Sequence, residues 1–238
     1  MKRKLFLSLF FAALLQSGAV LAADTWFYTQ TSESQKSMTA DKGLQMLKDG
    51  NARFTSGKSK SRNLLQQAKL TSQLGQYPFA VVLSCMDARG GPEIIFDQGI
   101  GDIFSVRLAG NVLDQDQLGG LEFATKAVGT HLIVVMGHTR CGAVRGACSG
   151  VELGSLTQLL DKIKPAVDEV KQINKTNDLN CNDYHIVDQI AKLNVLHVMK
   201  QIKEESSIIK GLVDSGNVRI VGAMQDLKTG KVEFFEAN

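Results

Sequence analysis

Two short stretches hold the side chains with the most chemistry to offer. "SCMDARG" sets Cys85, Asp87 and Arg89 close together, and "GHTRCGA" does the same for His138 and Cys141. The cysteines offer soft thiolates and the histidine a borderline nitrogen, a donor set that suits tetrahedral zinc better than magnesium or calcium. The fourth position decides what such a metal does. A fourth protein ligand closes the site, whereas water there makes zinc a Lewis acid whose water ionises near neutral pH. Asp87 is near enough to Cys85 to be that ligand or an acceptor behind the metal, and Arg89 offers a bidentate partner to hold its carboxylate away. Taken singly, each residue also has a plainer role: a packed thiol, a histidine satisfied by a local hydrogen bond, a loop salt bridge. Taken together, the plain roles leave two cysteines, a histidine and a carboxylate unexplained.

For the two stretches to meet, the ends of two strands must lie side by side. "FAVVLSC" is a short apolar run ending at Cys85, "HLIVVMGH" is another ending at His138, and "DIFSVRLAG" reads as a strand between them. "DQLGGLEFATKAVG" reads as the crossover helix feeding His138, and Pro92 suits the first turn of a helix in "PEIIFDQG". Strands apolar on both faces and alternating with helices predict an α/β fold, a central mostly parallel β-sheet flanked by helices. In such sheets the loops beyond the strand carboxyl ends hold the chemistry, and Cys85 and His138 both occupy that place.

Around this sheet, Thr39 is expected to cap a helix in "TADKGLQMLKDGNARF" that ends at Gly50, and "SRNLLQQAKLTSQLGQ" fits a second. These form an N-terminal helical arm. "LTQLLDKIKPAVDEVKQIN", interrupted or kinked at Pro165, and "CNDYHIVDQIAKLNVLHVMKQIKEE" read as amphipathic helices. "NVRIVGAMQDLKTGKVEFFEA" closes as a C-terminal strand pair around a Thr229-Gly230 turn.

The chain opens "MKRKLFLSLFFAALLQSGAVLA", with basic Lys2, Arg3 and Lys4, an apolar run, and small residues Val20 and Ala22 at a cleavage point. Residues 1–22 are therefore expected to be a signal peptide, leaving 23–238 as a single domain in the periplasm or secreted, with no stable membrane insertion. The 238 residues carry 27 basic and 24 acidic groups. Loss of the leader removes three basic residues and no acid, so the mature charge balances and offers no footprint for nucleic acid. The polar stretch that follows holds an aromatic cluster, Trp26-Phe27-Tyr28, suited to anchoring on the body or on a partner subunit. Four cysteines are too few for a disulfide-held scaffold of this size. Cys148 and Cys181 are left either to bond to each other or to stay as buried thiols.

The sequence resembles the β-carbonic anhydrases. "CMDAR" follows that family's Cys-x-Asp-x-Arg signature and "GHTRCGA" its His-x-x-Cys-Gly, while "GNARF", "PEIIFDQGIGDIFSVRLAGN" and "LGGLEFA" resemble family segments at suitable intervals, over roughly residues 40 to 224. The resemblance implies a catalytic domain that hydrates carbon dioxide reversibly to bicarbonate and a proton through zinc-bound hydroxide. It implies one Zn2+ per subunit on Cys85, His138 and Cys141, with Asp87 and Arg89 as the catalytic dyad. In an open form Asp87 accepts a hydrogen bond from the fourth ligand, water or hydroxide; in a closed form its carboxylate displaces that ligand.

The same resemblance implies a pocket formed by Gln76, nine residues before the first cysteine ligand, Phe104 and Phe123, with the backbone N–H of Gly142 as an oxyanion donor. Val82 stands where members prone to the closed state carry tryptophan, which favours the open, plant-like form. Phe123 replaces the tyrosine of plant-like members, Ala88 a common serine, and Gly90-Gly91 bulkier positions, so a wall beside the dyad is expected to be missing. The resemblance further implies a homodimer or dimer of dimers, with Phe104 or Phe123 serving the neighbouring pocket. Two other functions share these residues: a structural zinc module that binds a partner with Asp87 kept on the metal, and hydrolysis of a carbon dioxide analogue such as carbon disulfide.

Overall fold

The computed structural model describes residues 28–236; the expected signal peptide and the Trp26-Phe27 part of the aromatic cluster lie outside the described residues. Its elements in chain order are α1 (Ser32–Lys36), α2 (Ala40–Thr55), α3 (Leu64–Leu74), β1 (Ala80–Ser84), α4 (Pro92–Ile95) and β2 (Ile103–Arg107). A short helical turn at Ala109–Asn111 leads to α5 (Gln115–Glu122), which widens into a π turn at Phe123–Ala127 before β3 (Leu132–His138). There follow α6 (Gly142–Cys148), α7 (Gly154–Asp161), α8 (Lys164–Ile173), α9 (Tyr184–Glu205), α10 (Ser207–Asp214), β4 (Arg219–Gln225) and β5 (Val232–Phe235). Among the described residues no helix is long and apolar enough to cross a membrane.

The strands form one sheet in the order β2-β1-β3-β4-β5, parallel except for the antiparallel β4/β5 pair. This is the expected α/β architecture, including the C-terminal strand pair. β1 has β2 on one side and β3 on the other, so the chain reverses direction of winding there, and the crevice beyond the carboxyl ends of β1 and β3 is where such sheets open a site. Alternation sorts the side chains: Val81, Leu83, Ile133 and Val135 face α5, α9 and α10, while Ala80, Val82, Leu132 and Val134 face α2 and α4. A third apolar cluster lies beyond the strand ends, where α6, α8 and α9 enclose Cys85 and Cys141 with Val144, Ile163, Val167 and Ile190.

One helix boundary differs from expectation and another is met, each in an instructive way. Thr39 caps α2 by accepting from Lys42 N as anticipated, but the helix runs through Gly50 to Thr55. A Cβ at Gly50 would lie 1.7 Å from the Phe96 carbonyl oxygen, so the glycine marks the closest approach of α2 to the α4 turn and not a helix end. Pro165 sits near the start of α8, and the chain breaks before it, between Asp161 and Lys164, because proline is tolerated in a first turn and not further inside. The turn after α4 is fixed by Asp97, whose buried carboxylate is bonded by the side chains of Arg53 and Arg62.

Candidate metal centre

β1 delivers Cys85 and β3 delivers His138 to neighbouring positions, since Ser84 pairs with Met136 across the two strands. One turn further, Cys141 is the N-cap of α6, reached through Arg140 in a left-handed conformation at φ 56°. The Sγ atoms of Cys85 and Cys141 and a ring nitrogen of His138 lie within 4.8 Å of one another, and all three residues are buried. Both thiols are free of disulfide. His138 Nδ1 is spent on the Thr139 carbonyl at 2.9 Å, which leaves Nε2 as the atom turned to the cluster; that atom is buried with no hydrogen-bond partner among the described residues.

A buried orphan nitrogen beside two buried thiols is the signature of donors awaiting a metal, and the S, N, S set fits zinc. The neighbouring Cys141 thiol, with His138 and the Gly110 amide, outweighs burial and draws the Cys85 thiol below its ordinary value, while the same contact and burial push Cys141 up.

Asp87 sits at the mouth of this cluster. Its Oδ1 accepts from Arg89 N at 3.0 Å and Arg89 Nε at 2.9 Å, and its Oδ2 accepts from Arg89 Nη2 at 2.7 Å. The fork holds the carboxyl well below the usual carboxylate range against the opposing effect of burial. Arg89 itself is mostly exposed, so the pair has one foot in solvent. Gly90 leaves no gap behind the dyad: a Cβ there would stand 3.1 Å from Oε1 of the buried Gln225. Gly142 opens α6 directly after Cys141, with open space where a side chain would be.

Of the expected pocket residues, Gly142 adjoins the ligand Cys141, whereas Gln76, Phe104 and Phe123 do not join the metal cluster within one chain. Gln76 is exposed in the loop before β1. The whole length of the five-residue strand separates it from Cys85, on the order of 15 Å at ~3.3 Å per residue. Phe104 pairs with Val81 near the start of β1. Phe104 and Phe123 do meet, with ring centroids 6.1 Å apart, and Phe123 is 55% exposed at the edge of the π turn. Val82 is buried in the strand against the α2 layer.

Three residues that the sequence did not single out brace the ligand loops. Arg107, at the end of β2, donates from Nε to the Cys85 carbonyl at 3.1 Å and from Nη2 to the Asp87 carbonyl at 2.6 Å. Asp188 on α9 accepts from Arg140 N at 2.6 Å, inside the loop between His138 and Cys141. Asn194, also on α9, donates to the Gly110 carbonyl at 2.8 Å. Cys148, at the far end of α6 from Cys141, is disulfide-bonded to Cys181 in the loop before α9.

Residues 80–232 match the carbonic anhydrase family. A carbonic anhydrase of Mycolicibacterium smegmatis is 34% identical over 194 residues, spanning 79% of this chain and 89% of that protein. Carbonic anhydrase 2 of Mycobacterium tuberculosis is 34% identical over 192 residues, spanning 78% and 87%. Among solved structures, one of two tetrameric β-carbonic anhydrases of Sordaria macrospora superposes with a TM-score of 0.62 at 24% identity, covering 71% of this chain and 84% of that one. A β-carbonic anhydrase of Aspergillus fumigatus gives 0.64 at 23% identity, covering 72% and 86%, so the fold is shared.

Proposed function

The chain belongs to the carbonic anhydrase family and has the β-class fold, and from that premise we infer how its own residues carry out the zinc-dependent reversible hydration of carbon dioxide. The observation that carries the reading is the convergence of Cys85, His138 and Cys141, with His138 Nε2 buried and unbonded. Zinc held by these three supplies a Lewis acid that brings the pKa of a bound water to about 7.

Asp87 is the catalytic acceptor beside that water. Its carboxylate is ionised at working pH because Arg89 grips both oxygens, and the grip holds it beside the ligand cluster, where it would accept a hydrogen bond from that water, without taking its proton, and orient the attacking oxygen. The same grip keeps the carboxylate off the metal, which supports an open, plant-like site and disfavours a structural zinc module. The amide of Gly142, at the start of α6, stabilises the negative charge that moves onto the substrate oxygens as bicarbonate forms.

Gln76, Phe104 and Phe123 serve a neighbouring subunit's pocket. Their distance from the metal cluster of their own chain and the exposure of Phe123 support an obligate homo-oligomer, a dimer or dimer of dimers. The leader pattern in residues 1–22 and the Cys148–Cys181 disulfide, a bond that persists in oxidising compartments, support export to the periplasm or beyond.

Stopped-flow hydration of carbon dioxide across pH, on zinc-quantified protein, tests the reading. Turnover at neutral pH is expected. Turnover confined to alkaline pH would place Asp87 on the metal at rest, and none at any pH with stoichiometric zinc would overturn the activity.

A further inference from the structure

Gly110 stands behind the first ligand. Its backbone N–H donates to Cys85 Sγ at 3.3 Å, the contact through which the turn at Ala109–Asn111 reaches the thiolate. The residue is held at φ 68°, in the left-handed region, and a Cβ there would lie 2.6 Å from Ile163 Cδ1. The position favours glycine, and glycine is the residue with the widest choice of other conformations, so a contact from outside the turn is needed to hold the amide on the sulfur.

Asn194 supplies that hold. It projects from α9, is 1% exposed, and donates from Nδ2 to the Gly110 carbonyl at 2.8 Å. Gly110 thus accepts from Asn194 on one side and donates to Cys85 on the other. An amide bonded to a metal thiolate draws charge from the sulfur and fixes its direction, and partners of this kind change metal affinity by about 10–100-fold.

We propose that Asn194 is a positioning residue for the metal, acting through Gly110 to set the hydrogen bond on the Cys85 thiolate. The proposal rests on the zinc site described above and assigns a function to a buried amide that would otherwise only satisfy a carbonyl. Asn194 also borders a cavity of about 600 Å3 between α5, α8 and α9, which gives a longer amide room to bend.

The test compares four proteins loaded with Co2+ in place of zinc: wild type, Asn194→Leu, Asn194→Gln, and Val195→Ala, which removes buried bulk from the same helix without touching Gly110. Two readings are taken, the near-ultraviolet thiolate-to-cobalt absorption and the rate at which the zinc form releases its metal to excess chelator. Asn194→Leu is expected to move the absorption band and release zinc about tenfold faster or more. Asn194→Gln, which keeps a donor, should return toward wild type, and Val195→Ala should leave both readings in place while lowering Tm. If Asn194→Leu does not fold, Asn194→Ser, too short to reach Gly110, replaces it with the same expectation. Wild-type readings from the donor-less variant, or equal changes from Val195→Ala, would overturn the proposal. Neither reading requires turnover, so a protein that holds zinc on its three ligands without hydrating carbon dioxide would overturn the proposed activity and leave this test standing.

Discussion

Asp87 Oδ2 stands 3.9 Å from His138 Nε2 while it accepts from Arg89 Nη2 at 2.7 Å. The carboxylate is therefore close enough to the ligand set to take part in its chemistry and is restrained from entering it by a single, largely exposed arginine. Arg89→Ala removes that restraint. Zinc content should be unchanged, and hydration at neutral pH should fall by about 10²-fold or more, on the scale of a lost positioned acid or base group. Metal analysis beside stopped-flow kinetics checks both halves; an Arg89→Ala protein with full neutral activity would remove the dyad from the mechanism.

Asp97 gives a pH dependence of stability whose sign can be worked out. Burial of this carboxyl pushes its pKa up, but the guanidinium groups of Arg62 and Arg53 and the amide of Lys60 prevail and hold it below the ordinary value of 3.8. A depressed folded-state pKa contributes stability that is complete above the unfolded value and lost as pH falls through the folded one. Denaturation midpoints should accordingly decline below about pH 4. Asp97→Asn should flatten that acid limb and cost about 3–5 kcal/mol at neutral pH, because two guanidinium groups lose their buried partner. Equal midpoints for the two proteins at pH 7 would count against this account.

Gly50→Ala separates helix propensity from packing. In an open helix interior this change stabilises by about 1 kcal/mol. Here the new methyl would meet the Phe96 carbonyl oxygen at 1.7 Å, so the sign should reverse, with α2 displaced from α4 and a loss of at least about 1–3 kcal/mol. Chemical denaturation of the variant decides between a gain and a loss.

The Cys148–Cys181 bond closes a loop across a separation of 33 residues. Replacing both cysteines by serine should cost about 2–4 kcal/mol. Denatured, metal-free wild type prepared without reductant should show free thiols at Cys85 and Cys141 alone. Four reactive thiols would show that the bond does not form.

The sheet and the metal ligands were legible because their signals are local. Apolar runs ending in Cys85 and His138 announce both a buried strand and the residue it delivers, and the Asp87–Arg89 fork is built from neighbours in sequence. The role of Gly50 was harder to read, since a glycine can end a helix or admit a neighbouring carbonyl, and only the position of Phe96 distinguishes the two. Arg107, Asp188 and Asn194 gave no signal at all. Each acts on a backbone group of a loop distant in sequence, and an arginine at a strand end or an asparagine inside an amphipathic helix looks ordinary until the partner peptide is in place. Gln76 shows the converse: its offset from Cys85 reads clearly, yet the direction of β1 carries it away from the metal of its own chain.

The closeness of Cys85 and Cys141 has a consequence for how the protein matures. Four cysteines allow three complete pairings, and in a metal-free chain the two ligand sulfurs lie near enough to compete as oxidation partners. Zinc bound early takes both out of the competition and leaves Cys148 to find Cys181; oxidant arriving first can seal the ligand pair as well, which leaves the Cys148–Cys181 bond free to form but removes two of the three metal ligands. Metal would then protect its own site from oxidation, and refolding in air with and without zinc should give products that differ on a cystine peptide map, with a ligand-pair bond confined to the zinc-free sample. A zinc-free map identical to the zinc-loaded one would mean that the fold alone dictates the pairing.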